Sequence, residues 1–437
     1  MREMKDSGVD WIGKIPKSWY LTKIKYCVDL CGSGTTPKSN NIEYYDGDVS
    51  WIQSGDLYST DVIKDTAVKI TGIALRDHSA LKVYKKDFLV LAMYGASIGN
   101  VSISKIDACV NQACCCLKTN ANNDLMFLYY WLLYCKENFL IKAVGGTQPN
   151  ISQVMIKNQC FLVVPYREQL KIVSYLDREC EKLNKITADI EREIEVLQEY
   201  KQSVITKAVT KGLDKNVAMK DSGVDCIGEV PSTWEVKRAK YIAETLSKGN
   251  GITKEDIVLD GDIQCVRYGE IYTQYNGVFW QAVTRTNIER ISSPKYIEKG
   301  DILFAGTGEL VSEIGKNIVF MGDEPCLAGG DIVVMRHSQN PVFLNYAMNS
   351  NYAQDQKSMG KAKLKVVHIS ATDIGNIRIA LPPLNEQEKI AEYLDKYCST
   401  IDVAIADKQK QLDTLAEYKK SLIYEYVTGK KEVPVDA

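Results

Sequence analysis

The chain has 437 residues, 45% of them hydrophobic and 25% charged, and a formal net charge of −2. That composition excludes a disordered chain and leaves room for two or three domains with cores of their own. Residues 1–10 (MREMKDSGVD) hold no apolar signal core, and no later stretch approaches the ~18 uninterrupted apolar residues of a membrane span. The expected location is therefore the cytoplasm, with no membrane partner.

Residues 1–165 read as a first globular domain. They carry 18 Lys and Arg against 15 Asp and Glu. Short β-rich runs such as Phe88-Leu89-Val90-Leu91 alternate with turn-rich loops, and a helix is predicted over Leu125–Lys142. The loops are rich in Gly, Ser, Thr, Asn and Gln. Their side chains are of the kinds that reach base edges and phosphates. The candidates here are Ser33, Thr35, Thr36 and Lys38, then Gln53 and Ser54, Tyr94 and Ser97, and Gln148 and Asn150.

Residues 166–213 contain no Pro and no Gly before Gly212, and apolar residues recur at a 3,4 spacing. Leu176, Leu183, Ile190, Ile194 and Leu197 form a heptad seam, interrupted by Thr187 and Lys201. Such a helix cannot bury its stripe alone. Residues 214–383 read as a second mixed domain, whose counterpart of the 125–142 helix is predicted near 342–354. Its candidate contacts are Arg267, Tyr268, Thr307, Lys316, Lys361, Lys363 and Lys365. Residues 384–430 repeat the helix, with Leu394, Ile401, Ile405, Leu412 and Leu415 in the seam and Lys408 and Lys419 interrupting it. Asn385 followed by Glu388 suggests a capping box at its start, and residues 431–437 are a tail. Gly212 and Gly429 are the expected helix stops.

The two halves are a duplication. Residues 4–10 (MKDSGVD) and 219–225 are identical. Asp46-Gly47-Asp48 returns as Asp260-Gly261-Asp262. Pro165, Glu168, Gln169 and Asp177 return as Pro383, Glu386, Gln387 and Asp395, and Glu199-Tyr200-Lys201 as Glu417-Tyr418-Lys419. Each half has similar ends and a dissimilar middle. The expected fold is mixed α/β (α+β): two similar domains separated by an antiparallel coiled coil of two long helices, in a pseudo-two-fold arrangement.

Enzyme signatures fail. Gly32-Ser33-Gly34-Thr35 and Gly306-Thr307-Gly308 fit neither phosphate-loop pattern. Pro382-Pro383 lacks the flanking residues that amino-methyltransferases use. His78, His337 and His368 lack zinc-site spacing, and the 13 cysteines, none in a Cys-x-x-Cys pair, read as reduced small hydrophobes. No catalytic residue and no metal is expected. A standalone nuclease or methylase would need a motif that is not found, and a scaffold without a nucleic-acid role would need the loops to be inert.

The lead-ins SGVDWIGKIPKSW and SGVDCIGEVPSTW, the segment at 47–52, the loop at 145–152 and PPLNEQEKIAEYLD at 382–395 together resemble type I restriction-modification specificity subunits over nearly the full length. The resemblance implies two target-recognition domains, each reading one half of a split site in double-stranded DNA. It implies that the helices serve as spacer and as docking surface for two modification (methyltransferase) subunits, with restriction subunits joining through these. S-adenosylmethionine, ATP and magnesium would then belong to the partners, and this chain would hold no cofactor.

Overall fold

The computed structural model describes residues 2–58, 60–145, 149–308, 313–359 and 367–434. Two compact units emerge. One comprises Met1–Ile190 with Lys410–Ala437, the other Glu191–Gln409, so each unit takes part of both long helices.

In the first unit a five-stranded sheet runs in the order Val28–Gly32, Cys114–Thr119, Phe88–Ala92, Val101–Ser104, Val62–Ile63. All neighbours are antiparallel except the last pair. A second sheet sets Tyr45–Ile52 between Cys109–Val110, parallel, and Lys69–Ile70, antiparallel. The central strand Phe88–Ala92 is buried throughout because it is covered on both faces. Leu89 and Leu91 face the core shared with the Leu125–Lys142 helix, while Phe88, Val90 and Ala92 face a second cluster, the period-two alternation of a strand. Cys115 joins the first cluster and Cys114 and Cys116 the second. No cysteine is disulfide-bonded, and burial pushes the Cys114 thiol up to about 12.

The second unit repeats this plan. Its five strands run Ala243–Lys248, Ile332–His337, Ile302–Ala305, Asn317–Phe320, Val278–Phe279, again with only the last pair parallel. Ile263–Val266 lies parallel to Cys326–Ala328 and antiparallel to Thr284–Thr286. The shared Gly47 and Gly261 now have a reason. A Cβ on Gly47 would stand 2.5 Å from the Ile70 carbonyl oxygen, and one on Gly261 would stand 2.6 Å from that of Thr286.

The units differ in the second sheet, which gains Tyr296–Ile297 in the second unit, and in the helix that follows the main sheet. Leu125–Lys142 is continuous as expected, but the span predicted near 342–354 is two helices, Pro341–Met348 and Asn351–Ser358. The break leaves the Met348 carbonyl without its helical partner, and the buried Lys357 ammonium donates to it at 2.7 Å. The same ammonium donates to the Gly315 carbonyl at 2.7 Å and to Asn317 Oδ1 at 3.1 Å.

The long helices span Tyr166–Lys211 and Leu384–Val427. The Pro165 carbonyl accepts from the N–H groups of Glu168 and Gln169, and that of Pro383 from Glu386 and Gln387. The second helix thus starts at Leu384, which places Asn385 inside the first turn. The Asn385–Glu388 capping box is corrected accordingly: Pro383 occupies the capping place. Both helices stop at a left-handed glycine, Gly212 at φ 72° and Gly429 at φ 70°.

Within each unit the helices pair antiparallel. In the first, Tyr175 stacks on Tyr426 with centroids 4.5 Å apart, and Lys419 donates to Asn184 at 2.8 Å. In the second, Glu193 pairs with Lys408, and Lys201 binds Asp402 at 2.6 Å. Numbers rise on one helix as they fall on the other. The lysines that interrupt the heptads are therefore cross-helix polar contacts. Leu176, Leu183, Ile190, Leu394 and Ile401 are buried. Ile194, Leu197, Ile405, Leu412 and Leu415 are half-buried, since two helices alone shield only one side of a seam. Among the described residues no helix is long and apolar enough to cross a membrane.

Candidate nucleic-acid interface

The shared sequence segments act as a clamp. In the first unit the Trp19 indole donates to Glu168 at 3.0 Å; in the second Trp234 donates to Glu386 at 3.0 Å. The carboxamide of Gln169 accepts from the Asp124 N–H and donates to the Val164 carbonyl. Gln387 does the same with Asn340 and Pro382. The Tyr130 phenol donates to Asp177 and that of Tyr346 to Asp395. Burial pushes both phenols up, and the facing carboxylates push the same way. Each glycine stop rests on the clamp's indole, Gly429 on Trp19 and Gly212 on Trp234. In the sequence Glu386 stands only as the repeat of Glu168. The joint recurrence of Trp, Glu, Gln and Asp was the signal for a fixed junction between each globular part and its helix.

With this frame fixed, the dissimilar loops gather at one edge of each unit, beyond the strand ends. In the first unit the loop after Gly32 crosses the segment after Val110, so closely that a Cβ on Gly34 would stand 1.8 Å from the Val110 carbonyl oxygen. Thr36 donates to Gln112 Oε1 at 2.5 Å, and the Tyr84 phenol holds the Ser33 carbonyl. The Asn111 N–H donates to the Ile52 carbonyl, which brings the Gln53–Ser54 corner alongside. Tyr94 is exposed and bridges to Asn150. Ser33, Thr35, Thr36, Gln53, Ser54, Tyr94 and Asn150 thus come to one edge, with Lys38 exposed on the same loop. Ser97 is buried and donates to the Tyr94 carbonyl, a turn-forming contact. Gln148 lies outside the described residues.

The second unit builds the same edge from different residues. A Cβ on Gly249 would stand 2.1 Å from the Gly329 carbonyl oxygen, the counterpart of the Gly34 crossing. The cleft there has a volume of about 790 Å³ and is lined by Lys248, Asn250, Lys254, Arg267 and Tyr268 among others. Lys248 and Asp331 also line an adjoining cleft of about 570 Å³ that reaches His368, to whose Nδ1 Thr307 Oγ1 stands at 3.0 Å. Thr307 pairs with His368 as Tyr94 does with Asn150. Lys316 is half-buried. Its ammonium lies over the Tyr272 ring and donates to that residue's carbonyl, and burial lowers its pKa. Lys361, Lys363 and Lys365 lie outside the described residues. Sequence reading missed Lys248, Asn250 and Lys254. Their positions 215–216 residues after Ser33, Thr35 and Lys38 could have found them. Among the described residues no group of three or more His, Cys, Asp or Glu side chains is placed to hold a metal ion.

A model of the family described as type I restriction modification DNA specificity domain matches residues 16–196 and 231–414. The MjaVIII specificity subunit of Methanocaldococcus jannaschii is 25% identical over 427 residues, covering 96% of this chain and 94% of its own. The MjaIX specificity subunit of the same organism is 27% identical over 438 residues, covering 97% and 95%. A solved chain from work on complex assembly and conformational transition of the type I R-M system superimposes with a TM-score of 0.67. It is 14% identical and covers 95% of this chain and 99% of that one, a likeness of fold. The chain belongs to the family of type I restriction-modification DNA specificity subunits, and it carries the family's domain twice.

Proposed function

We propose that each unit reads one half of a bipartite, asymmetric site in double-stranded DNA. The long helices set the spacer between the half-sites and dock two modification subunits, through which the restriction subunits join. One observation carries this reading: the same clamp and the same five-strand order present, at the same edge, different polar residues in the two units. A repeated frame with unlike edges suits two independent reads of unlike sequence, and the major groove distinguishes all four base pairs. The site residues of both edges, together with Gln148, Lys361, Lys363 and Lys365, are the proposed DNA contacts.

Methyl transfer and cleavage then fall to partner chains, which hold S-adenosylmethionine, ATP and magnesium, and the chain works without a cofactor of its own in the cytoplasm. At 1.5 Å per residue, a helix of 46 residues is about 69 Å long. Half-site spacing follows protein geometry in other DNA readers. Exchange of residues 30–150 for those of a family member should change one half-site of the methylated motif and leave the other, as read by methylome sequencing. A change in both would end the claim of independent reads. Deleting one heptad from each helix should shorten the spacer or abolish assembly; an unchanged spacer contradicts the role given to the helices.

A further inference from the structure

Gln53 and Arg267 occupy the same place in their units. Each follows a strand that lies beside a parallel partner: Tyr45–Ile52 beside Cys109–Val110, and Ile263–Val266 beside Cys326–Ala328. Their backbones are held alike. The Gln53 N–H donates to Asp56 Oδ2 at 2.8 Å, and the Arg267 N–H to Glu270 Oε2 at 3.1 Å. The preceding carbonyls, of Ile52 and Val266, accept from Asn111 and Gly329. What differs is the side chain.

Arg267 is preorganised. Its Nε donates at 2.9 Å to Oε1 of Glu270, a buried carboxylate also held by Thr284 Oγ1. Among the described residues its two terminal amino groups make no hydrogen bond, and the side chain lines the cleft of about 790 Å³. Glu270 offsets its charge, which weakens its pull on a phosphate and leaves the directional donor pair. Two parallel N–H donors match the O6 and N7 acceptors of guanine. A carboxamide, with one donor and one acceptor, matches N7 and N6 of adenine.

We infer that these equivalent positions are specificity-determining residues, Arg267 taking a guanine and Gln53 an adenine in their respective half-sites. The inference rests on the DNA-reading function proposed above and adds the bases that are read.

The test uses the assembled complex. With Arg267→Gln, one guanine in the half-site of the second unit should become relaxed or turn to adenine. Discrimination there should fall roughly 10- to 100-fold while the other positions stay as they were. A uniform loss of methylation with unchanged preference would mark a phosphate contact and overturn the assignment. Should that variant fail to assemble, the wild-type complex is assayed on duplexes carrying 7-deazaguanine at each guanine in turn, and 7-deazaadenine at each adenine. One guanine in the second unit's half-site and one adenine in the first's should each weaken binding by about tenfold or more. Silence at every such position overturns the inference. The exchange of residues 30–150 assigns half-sites to units. If it alters neither half-site, the reading of function fails; if it works and the deaza probes are silent, only the base assignment fails.

Discussion

Trp19 on Glu168 and Trp234 on Glu386 are the same contact made twice, down to the donor distance. At the loop edge the two units share a backbone plan but few side chains. Where one crosses its loops through Thr36 and Gln112, the other has Gly251 and the acid Asp331 beside Lys248. The clamp tolerates little change because its indoles and carboxamides, Trp19, Trp234, Gln169 and Gln387, are buried and each makes a hydrogen bond there. The edge tolerates more because the demands its two versions share, the glycines at the crossing and the held backbone at Gln53 and Arg267, leave the side chains free to differ. A duplicated chain can therefore alter what one unit reads without disturbing how either unit is held.

The sharpest way to break this comparison is to cut one clamp. Trp234→Ala should cost about 3–5 kcal/mol, and the loss should be confined to the second unit. Trp19→Ala should do the same to the first. Peptide-resolved hydrogen exchange checks this, and protection lost equally in both units would contradict it. Next comes the crossing. Gly34→Ala should cost about 3 kcal/mol, because a rigid carbonyl meets the new Cβ, whereas Gly55→Ala, with nothing within 4 Å, should be silent in the same thermal melts.

Lys357 sharpens the contrast between the units. Burial pushes its pKa down to about 7, and the unfolded chain holds that proton up to the ordinary lysine range near 10.5. Between those values the unfolded state binds more protons than the folded one, so stability of the second unit should rise with pH across that window. Lys357→Met should remove the slope and cost roughly 1–2 kcal/mol for the carbonyls it orphans, measured by denaturant unfolding at pH 7 and pH 9. A slope that persists in the variant would place its origin elsewhere. The smallest effect belongs to the half-exposed Lys201–Asp402 pair, where Lys201→Ala should cost under ~1 kcal/mol and shrink further in high salt.

The long helices, their seam and their glycine stops were legible because heptads and left-handed glycines are local signals. The duplication was legible because residues 4–10 and 219–225 coincide. Strand order was not, since strands as short as Val62–Ile63 carry no periodicity and their partners lie far off in the chain. The predicted helix near 342–354 missed its break because composition does not show that a buried lysine will take up a freed carbonyl. The candidate residues were chosen by chemistry alone. That brought in Ser97, which forms a turn, and Lys316, which serves its own unit.

Leu422, Ile423, Tyr426 and Val427 sit in the core of the first unit, beside Trp19 and Leu176. On the ribosome, that core stays open until the second long helix has been synthesised almost to its end, by which point every residue from Glu191 to Gln409 has already been added to the chain. The unit encoded first is completed last. A nascent chain therefore exposes an unfinished apolar face through most of its translation, which gives chaperones a long interval of access to the amino-terminal half.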